Sequence, residues 1–199
     1  MHTITSFSEL VDARQRGSWS TIKEHPFFRA LISDRLPTDR YAECLWQAFL
    51  THEELEEFLV EVTEQTLNYP HLYQGVWTSA SEAMDQITGL GVKLSGQLPR
   101  NATHKLFDMI WTISCLHPPA LVGVGYALRY THERLLEAAG GSVPRSRDYW
   151  NRLAEDLDAI GLDHIQVDAV TTAIDMTVKA ISSLWDELLL GQRACQSVS

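Results

Sequence analysis

Residues 25–59 read HPFFRALISDRLPTDRYAECLWQAFLTHEELEEFL, and this stretch decides the fold. Proline has no N–H to give and a preset φ, so Pro26 opens a helix just after a bend at His25. In the turn Leu36-Pro37-Thr38-Asp39, Pro37 is expected to stop that helix and Thr38 to cap a second, long one. The second helix is expected to run to about Asn68. Leu45, Phe49, His52 and Leu59 recur at helical spacing and share a face. A histidine inside an apolar stripe is the first indication of chemistry. Its structural alternative is a core histidine whose nitrogens are hydrogen-bonded.

The chain on either side keeps the same period. Residues 6–16 read as a short amphipathic arm with Ser6 as cap and Gly17 as stop. Residues 19–33 form an apolar helix broken at Pro26. The carboxylates after His52, from Glu53 to Glu64, are too many to bury and belong to a solvated face. Helical spacing resumes over 72–88, which carries Glu82. Asn101 is expected to cap a helix to about Leu116. Another helix follows from Pro118 to Ala139 and stops at Gly140-Gly141. Ser146 heads residues 147–160, Gly161 stops them, and Asp163 caps a last helix ending at Gly191. A flexible tail is expected over 192–199. No strand pattern or repeat appears, so the chain reads as one all-α domain over 1–199, a bundle of about seven or eight helices.

A second segment stands out at 117–137. Gly123 and Gly125 sit inside an apolar helix, where each costs about 1 kcal/mol relative to alanine. Two compensations are open: close approach of another helix, or a flat ligand against bare backbone. The same helix carries Tyr126, Arg129, Tyr130, His132 and Glu133, and His132 again lies on an apolar stripe with Leu128 and Leu135. Two histidines on separate core helices, with carboxylates near, suit non-heme iron or manganese. There is no Glu-x-x-His pair, no HEXXH, no Gly-x-Ser-x-Gly and no phosphate-binding glycine loop.

Bulk properties exclude some partners. The net charge is −10, with no basic run, which argues against nucleic acid and acidic membrane surfaces. No apolar run approaches a membrane span, and the first residues lack a signal-peptide pattern. Cys44, Cys115 and Cys195 form no paired framework, so a reduced, cytoplasmic protein is expected.

The layout resembles the heme-oxygenase-like superfamily, in particular its TenA (thiaminase II), PqqC and non-heme iron oxidase branches. The resemblance rests on His25-Pro26-Phe27, then Leu36, Tyr41 and Gln47-Ala48-Phe49, on the glycine-tyrosine core of the 118–140 helix, and on a closing helix with Leu184-Trp185-Asp186-Glu187-Leu188. It implies a heme-oxygenase-like bundle enclosing a small-molecule pocket. Carried over from the iron oxidases, His52, Glu82 and His132 match metal ligands, and dioxygen takes an open position. Tyr126, Tyr130 and Glu133 then serve as catalytic groups, with Phe49, Gly123, Gly125 and Arg129 lining the substrate. The implied function is an oxidoreductase or oxygenase acting on a small organic metabolite. Two other readings stay open: a metal-free enzyme like TenA and PqqC, and a non-catalytic heme-binding or accessory member. A homodimer is compatible with all three.

Overall fold

A computed structural model describes residues 6–61, 83–92, 94, 98–140, 158, 159, 161 and 163–196. The described elements are α1 (Phe7–Ile22), α2 (Pro26–Ile32), α3 (Thr38–Glu61), a helical stretch over 83–89, α4 (Asn101–Leu116), a 3-10 turn (Pro118–Ala120), α5 (Leu121–Ala138) and α6 (His164–Gln196). No strand occurs among the described residues, so the all-α expectation holds.

The opening motif folds as its chemistry requires. His25 caps α2, its Nδ1 accepting the Phe27 N–H at 3.2 Å, and Pro26 takes the first turn, where a missing N–H costs nothing. Phe27 and Phe28 then stack on Trp185 of α6, with ring centroids 5.2 and 6.2 Å apart. His25 meets the same indole edge-on at 5.3 Å and approaches Asp186 at 3.3 Å. The motif is therefore an anchor between the second helix and the last.

Several boundaries differ from the sequence reading. α1 does not stop at Gly17 but continues to Ile22. Ile22 is fully buried and Trp19 packs on the same core, and that burial outweighs the cost of one helical glycine. α2 ends at Ile32, before Pro37, with Asp34 in a left-handed turn at φ 53°. Thr38 lies inside α3 rather than ahead of it, and the Pro37 carbonyl accepts the Arg40 and Tyr41 N–H groups. Asn101 is likewise inside α4. The first turn there is capped from a distance, the Ala102 N–H donating to Glu187 Oε1 of α6 at 3.0 Å. α6 continues through Gly191 to Gln196, into the segment expected to be a flexible tail.

Other signals read correctly. Ser6 and Glu9 form a reciprocal capping box. Gly140 has φ 77° just past the end of α5. Asp163 Oδ1 accepts the N–H groups of Ile165 and Gln166 at 2.9 Å each, while Gln166 Oε1 accepts the Asp163 N–H. The expected helix over 147–160, the end of the long helix toward Asn68, and Glu82 lie outside the described residues.

α5 is buried nearly all round, between α3, α4 and α6. Gly123 explains how α6 comes so close. A Cβ there would lie 2.4 Å from the Val170 carbonyl oxygen, a separation real side chains do not show. The helix-approach reading of Gly123 is therefore correct. The assignment of Gly123 to a substrate surface is not, because the backbone of α6 occupies that face.

A polar network pins the 98–100 segment to α3. Gln47 is fully buried with both polar atoms bonded: its Nε2 donates to the Leu98 carbonyl, and its Oε1 accepts from the Arg100 N–H and the Thr103 hydroxyl. Glu43 is bonded to Arg40 at 2.9 Å and to Arg100. These groups fix the entry to α4.

A buried two-histidine site between four helices

His52 of α3 and His132 of α5 come together in the core. They are 1% and 2% exposed, and their ring centroids lie 6.1 Å apart with the planes at 87°. Helical geometry places them. Cys44, Ala48, Thr51 and His52 form one face of α3, and Leu128, Thr131, His132 and Leu135 form one face of α5. Leu106 of α4 and Ile181, Leu184 and Trp185 of α6 complete the walls. The indole that receives Phe27 and Phe28 is thus also a wall of the site. The space between these walls is about 30 Å³, which suits one or two water-sized groups.

The site combines apolar walls with unused polar atoms. Both nitrogens of His52, both nitrogens of His132 and the Thr131 hydroxyl are buried without a hydrogen-bond partner among the described residues. Buried polar groups are normally paired, and leaving one unpaired costs about 1–3 kcal/mol. Five such atoms around one small cavity do not fit a core histidine satisfied by its neighbours.

Electrostatics keep both rings neutral. Burial pulls His132 from its ordinary 6.5 down to about 3, helped by the positive charge of Arg129. His52 is also held well below 6.5, first by burial and then by His132 and Arg129. A neutral imidazole is the form that ligates metals. It is a poor general base when its pKa lies so far under the working pH. Cys44 borders the cavity, but burial pushes its thiol up to about 12, so it is no nucleophile at neutral pH.

The other sequence candidates fall away from this cavity. Arg129 and Glu133 form a buried ion pair, with Nε and Oε1 at 2.7 Å, so Glu133 holds that guanidinium. Tyr126 stacks on Tyr130 at 6.4 Å, and Tyr130 meets the edge of Trp19 at 5.9 Å and the guanidinium of Arg134 at 4.9 Å. Neither tyrosine borders the histidine cavity. Phe49 is half-buried and stacks on Trp46 at 5.4 Å, so the apolar face of α3 runs through Cys44 and Ala48 instead. Gly125 is buried within α5 and does not border the cavity either. The sequence reading passed over Thr131 and Cys44. Thr131 had a signal, since it lies next to His132 and three residues from Leu128, on the same face.

A larger groove of about 760 Å³ lies on the surface between α1 and α6. Its one carboxylate among the described residues is paired: Asp175 takes Arg14 at 2.7 Å and the Ser18 hydroxyl at 2.9 Å. The unpaired polar atoms gather instead at the small cavity, where they mark a site.

The molecule has the heme-oxygenase-like helical fold. The heme oxygenase of Leptospira interrogans is similar in structure, with a TM-score of 0.72 and 15% identity over 92% of this chain and 100% of that one. A cyanobacterial heme oxygenase-1 from Synechocystis, solved in complex with heme, gives a TM-score of 0.70 and 12% identity over 98% of this chain and 100% of that one. No family profile matches the sequence, and no curated protein is significantly similar to it.

Two groups suggested by this fold can be tested against the residues present. Heme does not fit at the histidine pair. The space is about 30 Å³, against the several hundred usual for a cofactor pocket, and α6 already lies on Gly123. A single metal ion fits the donors better: two neutral imidazoles with free nitrogens face one cavity at a separation two ligands of one ion can span. No group of three or more His, Cys, Asp or Glu side chains able to hold a metal occurs among the described residues. Within them the donor set is His52 and His132.

Proposed function

We propose that this protein is an oxygenase-type oxidoreductase with a non-heme iron centre at His52 and His132. Glu82 is the proposed third ligand, and the proposed substrate class is a small organic metabolite that stays outside the water-sized cavity, which has room only for the ion and a diatomic. The observation that carries this reading is the set of four unpartnered imidazole nitrogens around one cavity. Bound ferrous iron would supply dioxygen activation. The chain supplies the rest. His52 and His132 offer neutral donors without first losing a proton, because burial already keeps them deprotonated. Leu128, Leu135, Ile181 and Leu184 keep bulk water from the donors. Pairing with Glu133 keeps Arg129 from standing as a bare cation near the site.

The same features argue against a metal-free acid–base site, since a histidine at about pKa 3 accepts protons poorly at neutral pH. Anaerobic reconstitution with ferrous iron, followed by metal quantification, tests the reading. Wild-type protein is expected to retain one iron per chain, and His52→Ala and His132→Ala are expected to retain none. Equal iron in all three, or none in wild type, overturns it.

A further inference from the structure

Four threonines are buried in the described helices, Thr51, Thr103, Thr131 and Thr177, and Thr103 donates its hydroxyl to Gln47 Oε1 at 2.7 Å. Thr51 returns its hydroxyl to the Gln47 carbonyl at 2.8 Å, and Thr177 returns its own to the Ala173 carbonyl at 2.8 Å. This back-bond to the residue four earlier is the usual way for a helical threonine to be satisfied in an apolar interior. Thr131 is the exception. Its hydroxyl is buried, has no partner among the described residues, and belongs to the lining of the cavity that His52 and His132 share.

We propose that the Thr131 hydroxyl positions a diatomic or water-sized ligand between His52 and His132. Three observations converge on this. The hydroxyl lacks a partner among the described residues, whereas the other three each have one. The cavity, at about 30 Å³, admits a group of that size and excludes a larger one. Among the described residues the remaining walls are apolar apart from Cys44, Thr51 and the indole of Trp185, and the Thr51 hydroxyl is already used. Thr131 is therefore the hydroxyl free to hydrogen-bond a small polar ligand, and its χ1 rotor lets it donate or accept. The substitution Thr131→Val keeps the shape and removes that bond. Thr131→Ser keeps the bond and removes a methyl.

The inference rests on the iron reading in one arm of its test and is independent of it in the other. In the metal-free protein, oxygen-17 magnetic relaxation dispersion counts long-lived buried waters. Wild type and Thr131→Ser are expected to share a count that Thr131→Val lowers by at least one. In ferrous-loaded protein, nitric oxide is the probe, read by electron paramagnetic resonance. Thr131→Val is expected to keep the wild-type iron content but bind nitric oxide about tenfold more weakly, the worth of one hydrogen bond. Thr131→Ser is expected to restore it. An unchanged water count in Thr131→Val overturns the proposal, as does unchanged nitric oxide affinity. If wild type takes up no iron, the iron reading fails and the water count alone decides the role of Thr131.

Discussion

At the level of single residues, the molecule is unusual in leaving good donors and acceptors without a partner among the described residues where that costs most. His52 and His132 would be expensive core residues if packing were their only task. Replacing a buried, unpaired polar group by an apolar one of similar size removes its desolvation cost and loses no bond. His132→Leu should therefore raise the stability of the metal-free protein by about 1–3 kcal/mol in urea denaturation, while abolishing iron uptake. A loss of stability would show that the ring makes an essential packing or hydrogen-bond contribution. Gly123 gives the opposite case. Alanine is normally the better helix former by about 1 kcal/mol, but here its methyl would press on the Val170 carbonyl. Gly123→Ala should destabilise by about 1–3 kcal/mol, the cost of overpacking, and a neutral result would mean that α6 can shift away.

At the level of elements, caps and contacts across the bundle set the boundaries. The sequence showed Ser6, Gly140 and Asp163 clearly, because each acts on its own neighbours. It could not show that Glu187 caps α4, since that bond joins residues 85 positions apart. It also misplaced the end of α1, because Gly17 is a local stop signal while the burial of Ile22 is a tertiary fact. Glu187→Ala should cost about 1 kcal/mol, the typical worth of a lost cap, and should speed amide exchange in the first turn of α4 more than elsewhere. Equal exchange along the chain would contradict the cap. The site was half legible for the same reason. Periodicity placed His52 and His132 on inward faces. It could not separate the Phe49 side of α3 from the Cys44 side, and it could not see that Arg129 and Glu133 spend their charges on each other.

At the level of the whole molecule, fold and site make different demands. The bundle resembles heme oxygenases in shape, yet the space at its histidines is water-sized and lined by Trp185, Leu106 and Ile181. The order of the described helices was readable from local signals, but the ends of α1, α2 and α6 were not. The size of the cavity was not, because it depends on how four helices pack. Stability should also carry the mark of the buried rings. Both have folded pKa values below the ordinary 6.5, so the unfolded chain binds more protons as the pH falls. Their contribution is intact above pH 6.5 and is lost progressively toward the folded value, about 3 for His132. Each histidine steepens the fall by about 1.4 kcal/mol per pH unit. Metal-free wild type should therefore lose stability between pH 6.5 and 5, before most carboxylates titrate, and His132→Leu should lose it about half as steeply. Identical slopes would mean that His132 is not held neutral.

The central claim is that His52 and His132 are two ligands of one metal ion. Anomalous diffraction at the iron edge, from crystals prepared anaerobically with ferrous iron, tests it directly. The account predicts one strong peak between the two rings, within about 2.0–2.3 Å of one nitrogen of each. A map with no peak there, or with iron bound only at the surface carboxylates of α3, would contradict it.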